Sequence, residues 1–459
     1  MYSIFALDVV RLCNGIILSG DDKLVLNNFC TDTRLLKSGD VYVGISGERL
    51  DGNDFYLEAI NKGASCLILS KKPDELNVDD VTIILVEDTL KCLQELAKYK
   101  RSLYDIPVIA VTGSVGKTST KDIIYSVLSK KYKVSCTVGN YNNHLGLPLT
   151  ILGMDDKSEV LVVEMGMNHF KELSLLSKIA KPTLAVITNI GTAHIGNLGS
   201  RENILKAKLE ILEGLVGMDV VLNIDDDMLF KAYMELKDKY NIKTVSVRED
   251  SDYRAVNLKL DVFDSEFDII NEIGDVVVNV GGIAYVYNAL IAYTIGKHFN
   301  IAEGLIKEGI AEFKLTGGRL EKKISKRGML LIDDTYNANY DSMKASIELV
   351  SKVKNRRKVA ILGDMLELGD YTEELHLKLG DVVVSNQIDV LITVGEYSKL
   401  IGKRAMELGM KREVIFTFDK ESDSYSFLAD YLDKDDIVLL KGSHGIKLFN
   451  LVDYLVNLD

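Results

Sequence analysis

Residues 110–121 read AVTGSVGKTSTK, and the side chains at its centre are of the kinds that hold a phosphate. The common phosphate loop is G-x-x-x-x-G-K-[ST]. Gly116, Lys117 and Thr118 match its end, but its first glycine would fall at Val111, and Gly113 stands two positions too late. The physical parts survive the shift. Small residues let backbone N–H groups turn inward, Lys117 brings a point charge, and a helix starting near Lys117 aims its positive end at the anion. The Thr118 hydroxyl is placed to ligate Mg2+. A glycine-rich turn with no ligand is the alternative; a strand before, a helix after and G-K-T between them favour the cradle.

The loop needs elements to hold it, and the chain supplies them in alternation. Apolar runs and helix-period segments follow one another from end to end, the pattern of α/β layers. A first block carries DVYVGIS and ASCLILS as strands and TLKCLQELAKYKRSL as an amphipathic helix. A second opens with IPVIAVTG, the run that ends at the loop, and continues through EVLVVEMG, PTLAVITNI and DVVLNIDD, which predicts a parallel sheet with crossover helices. A third begins near FKLTGGRLEK, where two glycines break a helical pattern, and repeats the alternation in GMLLIDDTYNA, KVAILGDM, DVLITVG and DIVLLKGS. Most of these runs end in Gly, Asp or Asn, at the strand ends where open α/β sheets take ligands.

Bulk properties agree. At 459 residues the expectation is about three domains. With 47% hydrophobic and 27% charged residues the balance is globular. A net charge of −13 argues against general nucleic-acid or acidic-membrane binding. Five scattered cysteines without a C-x-x-C pair read as reduced thiols. Early charges in the first fifteen residues argue against a signal peptide, and no apolar run reaches membrane-spanning length. The expectation is a soluble cytoplasmic protein, monomeric, with no membrane insertion.

The variant T-G-x-x-G-K-T resembles the central domain of the Mur ligases and, more distantly, folylpolyglutamate and cyanophycin synthetases. All are ATP-dependent ligases that join a carboxylate to an amine. Further segments fall in that family's order: VGNYNNHLGLPLTIL at 138–152, VVVEMGMNHFKEL, ITNIGTAHIGNLGSRENILKAKLEI, GGRLE, IDDTYNANYDSM, ILGDMLELG and LLKGSH. Together they cover about residues 32–442. Within the family, GDMLELG (363–369), DDTYNAN (333–339) and the N-terminal TDTRLLKSGDVYVGISGERLDGNDF resemble the branch that joins D-alanyl-D-alanine to UDP-N-acetylmuramoyl-tripeptide.

The resemblance implies an α/β chain of three domains. These are a uridine-nucleotide domain (1–104), a central P-loop-type mostly parallel sheet that binds ATP (105–315), and a C-terminal Rossmann-like domain (316–459) that covers the ATP and takes the dipeptide. It also implies ATP and Mg2+ as cofactors and an acyl-phosphate intermediate. The ATP contacts would be Thr112, Gly113, Ser114, Val115, Gly116, Lys117, Thr118 and Ser119, with Asn288, Arg319, Asp334 and Asn337. Metal would be held by Thr118, Glu164, His194 and, if carbamylated, Lys208; Lys117, His194, Lys208 and Arg319 would be catalytic. Thr33, Arg34, Ser46, Gly47, Asn142 and Asn143 would meet the nucleotide-sugar peptide, and Asp364, Glu367 and His376 the dipeptide.

Each has a plainer reading beside it: a hydrogen-bonded loop histidine for His194, a strand-end salt bridge for Glu164, a solvent-facing helix lysine for Lys208 as for Lys206, a helix-start cap for Asn288, a strand end for Asp333, and a surface ion pair for Arg34. Two positions depart from the branch. Tyr340 stands where proline is usual, and His444 where arginine is usual, so an imidazole replaces a bidentate guanidinium. The rivals are another Mur-type ligase, adding a diamino acid or glutamate, and a nucleotide-dependent switch, for which no obvious D-x-x-G segment exists.

Overall fold

The computed structural model describes residues 3–74 and 80–458. Two compact units emerge: one comprises Met1–Val111, Tyr132–Ala185 and Leu209–Asp219, the other Thr112–Lys131, Val186–Lys208 and Val220–Asp459.

The first unit contains a five-stranded sheet. Its strands Phe29–Cys30, Val41–Val43, Cys66–Leu69 and Thr82–Leu85 run parallel, and Ile16–Ser19 lies antiparallel at the edge. Tyr42, Leu67, Leu69 and Ile83 fill its core with Leu36 and Ala59. The amphipathic segment forms the helix Thr89–Ser102, capped by the Asp88 carboxylate on Lys91 N–H at 2.9 Å, and it buries Cys92, Leu93, Leu96 and Ala97. Also here, Val160–Glu164 runs parallel between Val108–Thr112 and Val134–Cys136. Val108 to Val111 and Val160 to Val163 are buried throughout, as the near-continuous apolar runs of a strand covered on both faces require.

In the second unit the helix Lys117–Leu128 packs on the helix Ile283–His298. The C-terminal part is a six-stranded sheet in the order Glu321–Ile324, Leu330–Asp334, Asp436–Lys441, Arg357–Gly363, Val390–Val394, Ile415–Phe418. Glu321–Ile324 is antiparallel to its neighbour and the rest are parallel. Because Asp436–Lys441 inserts between Leu330–Asp334 and Arg357–Gly363, three carboxyl ends meet at one edge, bringing Asp334, Asp364 and the Lys441–Ser443 turn together. The sequence pattern did not disclose the antiparallel strands Tyr253–Leu260, Ser265–Ile269 and Val276–Val278. Their half-exposed alternation of charged and apolar residues is short, and a glycine pair follows it.

No helix among the described residues is long and apolar enough to cross a membrane.

Candidate functional site

The loop between the strand Val108–Thr112 and the helix Lys117–Leu128 explains the unusual glycine spacing. Gly113 has φ +152°, and a β-carbon there would lie 1.9 Å from Thr188 Oγ1. Position 113, rather than 111, is where the backbone must pass closest to its neighbour. The loop is then pinned from outside. Ser114 N–H donates to the Asn189 carbonyl at 3.0 Å and Val115 N–H to Asn189 Oδ1 at 2.9 Å, while Asn189 Nδ2 and Thr188 Oγ1 both donate to the Val115 carbonyl. Thr188 and Asn189 were not singled out from sequence. Their only signal was polarity immediately after the strand Leu184–Ile187, inside ITNIGTAH.

Charge gathers on this loop. Lys117 Nζ donates to the Gly113 carbonyl at 2.9 Å. Lys208, on the helix Arg201–Leu209, is 1% exposed, so the reading of a solvent-facing lysine does not hold; Lys206 is the exposed one. Burial, reinforced by the Lys117 charge, holds the Lys208 ammonium well below the ordinary lysine range. Arg319 Nη2 donates to Thr118 Oγ1 at 3.0 Å, and its guanidinium carbon stands 3.7 Å over the Tyr336 ring centroid. Ser119 Oγ lies 3.4 Å from the Tyr285 hydroxyl, which donates to the Arg319 carbonyl at 3.2 Å.

Among the described residues, the buried atoms Thr112 Oγ1, Ser114 Oγ and Arg319 Nε have no hydrogen-bond partner. Each such atom costs about 1–3 kcal/mol. Three of them around one glycine loop, with two cations beside it, fit a bound polyphosphate. The donor set also suits Mg2+, which takes a hydroxyl or a carboxylate and completes its shell with phosphate and water. No three His, Cys, Asp or Glu side chains gather into an all-protein cage among the described residues.

Asn288 is 4% exposed and lies in the body of its helix, not at the start, so it is no helix cap. Its Oδ1 accepts from Thr120 Oγ1 at 2.9 Å and faces Gly116. Asp334 Oδ2 accepts from Lys441 Nζ and from Ser346 Oγ, each at 2.6 Å, and Asp334 Oδ1 from Leu320 N–H at 3.3 Å. Lys441, also missed in the sequence, reaches the Asn337 carbonyl at 3.1 Å. Asn337 Oδ1 meets Ala338 N–H. Asp333 ends its strand with Lys323 Nζ at 2.8 Å and the Thr335 hydroxyl at 2.7 Å.

Glu164 is buried at its strand end and accepts from Asn142 Nδ2 at 2.7 Å, so a carboxylate expected at metal and an amide expected at substrate bond to each other. His194 has a left-handed backbone, φ +62°, and its Nδ1 lies 2.8 Å from Glu367 Oε2; Glu367 is left-handed too, φ +64°. Left-handed backbone costs an ordinary residue about 1–2 kcal/mol.

Other expected residues have local work. The Asp364 carboxylate accepts from the N–H groups of Glu396 and Ser398 at 3.0 and 2.7 Å. His376, expected near the dipeptide, is fully buried. Its Nδ1 faces the Thr372 carbonyl at 2.6 Å and must donate; its Nε2 accepts from Met365 N–H at 3.1 Å. It is therefore a neutral imidazole holding a loop, and burial pushes its pKa down. Asn143 Oδ1 accepts from Leu145 and Gly146 N–H groups at the start of the helix Gly146–Leu152. The Arg34 side chain is 85% exposed and forked onto Asp32, the surface pair that was its plainer reading. The Thr33 carbonyl accepts from Lys62 Nζ at 2.8 Å, Ser46 Oγ donates to Asp51 at 3.0 Å, and Gly47 N–H closes a turn on Leu50. Tyr340 opens the helix Tyr340–Val350 behind the Asn339 cap, so losing a proline there leaves the helix start intact. His444 is exposed and stacks on Phe449, with ring centroids 5.1 Å apart, beside Tyr336.

Comparison with known proteins matches three family models in order: the Mur ligase family catalytic domain over residues 26–101, the Mur ligase middle domain over 111–296, and the Mur ligase glutamate ligase domain over 318–444. The UDP-N-acetylmuramoyl-tripeptide–D-alanyl-D-alanine ligase of Bacillus subtilis (strain 168) is 36% identical over 438 residues, covering 95% of this chain and 94% of that one. A crystal structure of MurF from Acinetobacter baumannii superposes with a TM-score of 0.88 at 28% identity, covering 99% of each chain. MurF ligase from Thermotoga maritima in complex with ADP gives 0.80 at 29%, over 94% and 97% of the two chains. The chain shares their three-domain, mostly parallel α/β fold.

Proposed function

This chain belongs to the Mur ligase family, and we propose on that premise that it joins D-alanyl-D-alanine to UDP-N-acetylmuramoyl-tripeptide at the expense of ATP. The observation that carries the reading is coverage: the likeness to the Bacillus subtilis ligase runs through all three family segments rather than stopping at the nucleotide loop. The reaction builds an amide in two steps. A tripeptide carboxylate oxygen takes the γ-phosphoryl group and ADP leaves; the dipeptide amine then attacks the acyl carbon, inorganic phosphate leaves, and the nitrogen gives up its proton.

Bringing a carboxylate to a polyphosphate sets anion against anion, so the residues that matter are cations and donors held in place before substrate arrives. Lys117, tied to the loop through the Gly113 carbonyl, would bring its charge to the ATP phosphates. Arg319 reaches the loop from the C-terminal region, and the charge that develops on the transferred group is where its guanidinium acts. With the Ser114 and Val115 N–H groups engaged by Asn189, the start of the helix Lys117–Leu128 completes the cradle. Thr118, Glu164 and His194 would hold Mg2+, which would supply further charge neutralisation. Burial and the Lys117 charge favour the neutral Lys208 amine, the form that adds CO2 to give a carbamate and a released proton; that product would put a carboxylate where the ammonium would have been.

The three domains 1–104, 105–315 and 316–459 each bring one participant: nucleotide-sugar peptide, ATP and dipeptide. Small molecules are the only partners, the protein acts as a monomer, and the precursor chemistry takes place in the cytoplasm. A phosphate-release assay decides the matter. Turnover that requires ATP, the UDP-linked tripeptide and D-alanyl-D-alanine together, and that vanishes in Lys117→Ala, is expected. Equal turnover with glutamate or a diamino acid as amine moves the chain to another branch, and turnover indifferent to both substrates makes it a switch. Intact mass under CO2-equilibrated native conditions, with Lys208→Met as the reference, reads the carbamate as an added 44 Da.

A further inference from the structure

Two loops of the second unit meet at three points. His194 Nδ1 lies 2.8 Å from Glu367 Oε2. The Tyr371 hydroxyl donates to the Gly199 carbonyl at 2.7 Å. Between these contacts the backbones touch, since a β-carbon on Gly196 would lie 2.6 Å from Gly369 N. Nearby, Asp341 Oδ2 accepts from Thr192 N–H at 2.7 Å and from the Thr192 hydroxyl at 2.8 Å. The loop of residues 188–199, which carries His194, is therefore seated on the loop of residues 364–371, which follows the strand Arg357–Gly363.

Ordinary surface ion pairs join long side chains on relaxed backbone and need no such support. Here both partners are held left-handed, a conformation that persists where surrounding contacts over-determine it and that collects at functional sites. The chemistry of the pair is also directional. A carboxylate oxygen only accepts, so the ring nitrogen facing it carries the hydrogen. A neutral ring bonded in this way has its lone pair on Nε2. Histidines that bind metals are held like this, through the other nitrogen and an oxygen acceptor.

We propose that Glu367 is a positioning residue for His194: from the C-terminal region it fixes which imidazole nitrogen can donate to a metal, and in which direction. The His194 donor is thus complete only while residues 364–371 are seated on residues 188–199, and cation binding reports that seating. The inference rests on the ligase reading for the place of His194 at the metal. It replaces the expectation that Glu367 faces the dipeptide.

Mn2+ titration of the full chain with a non-hydrolysable ATP analogue, followed by electron paramagnetic resonance, tests it. Spin-echo modulation from the imidazole 14N identifies a ring nitrogen bound to the cation. The wild type is expected to show that modulation. Glu367→Ala should lose most of it, with Mn2+ affinity about tenfold weaker. Glu367→Gln, whose amide oxygen still accepts from Nδ1–H, should stay within about threefold of wild type. Tyr371→Phe, which removes a neighbouring contact of the same seating, should weaken Mn2+ binding less than Glu367→Ala does. Unchanged Mn2+ affinity and unchanged modulation in Glu367→Ala, with the KM for D-alanyl-D-alanine raised instead, would overturn the proposal and return Glu367 to the dipeptide. Absence of imidazole modulation from the wild type overturns it as well. Glu367 is half exposed, so its variants are expected to fold. Mn2+ binding is read without peptide-bond formation, so failure of the ligase assay and failure of this inference stay separate.

Discussion

The Arg319 guanidinium carbon stands 3.7 Å over the Tyr336 ring and an Nη hydrogen reaches the Thr118 hydroxyl, so one side chain joins the C-terminal sheet to the phosphate loop. Charge alone does not reproduce this. Lysine lacks the planar group that stacks and the second nitrogen that bonds sideways. Arg319→Ala is expected to lower kcat about a thousandfold, and Arg319→Lys by about a hundredfold, with ATP affinity changed less than either. Single-turnover phosphate release beside equilibrium nucleotide binding separates the two quantities. A loss confined to ATP affinity would make Arg319 a binding residue only.

Gly113 offers a second test, because strain and collision act there together. Alanine would place a methyl group 1.9 Å from Thr188 Oγ1 on a backbone at φ +152°. Gly113→Ala should therefore abolish measurable nucleotide binding and destabilise the fold by about 2 kcal/mol or more. Adding Thr188→Ser leaves the colliding oxygen and should rescue nothing; adding Thr188→Ala removes it and should restore part of the stability but, with φ unrelieved, little of the binding. Calorimetric melting and ATP-analogue titration read both.

The contrast between Gly113 and Lys441 shows where legibility in the sequence ends. Strand-end polar residues could be read from runs such as VLVVE and VAILGD, since a buried parallel strand is a continuous apolar stretch and its end is where polarity returns. Lysine beside glycine and threonine after such a run announces a phosphate loop by local order alone. Lys441 announces nothing. Its partners Asp334 and Asn337 are about a hundred residues away, and they meet because one strand inserts between two others, a relation no local pattern encodes. Thr188 and Asn189 escaped for the same reason, as did the pairing of His194 with Glu367. Type also misled at His376, where a histidine suggested chemistry and burial made it a neutral brace.

Lys441 and Asp334 form a buried ion pair, which is costly to halve. Removing the cation leaves the Asp334 carboxylate facing Ser346 and a peptide N–H without its charge partner. Lys441→Met should cost about 3–5 kcal/mol of stability, whereas Lys441→Met with Asp334→Asn should recover much of it. Chemical denaturation of the wild type, the single and the double variant measures this. Equal losses in the single and the double variant would show that the lysine acts through packing.

His376 makes the pH prediction. Its folded-state pKa lies below the ordinary histidine value because burial disfavours the charged ring, outweighing the Thr372 carbonyl and the Asp364 charge, which favour it. The unfolded chain therefore binds a proton at a pH where the folded chain does not. Stability from this group is fully present above about pH 6.5, the unfolded value, and is lost as pH falls toward the depressed folded value. Within that window stability falls as pH falls, because the unfolded chain binds the additional proton. His376→Gln keeps a donor for the Thr372 carbonyl and an acceptor for Met365 N–H but does not titrate. Its stability curve below about pH 6.5 should be flatter than that of the wild type, measured by urea unfolding at constant ionic strength. Parallel curves would mean that His376 titrates alike in both states and that its burial imposes no penalty on the charged ring.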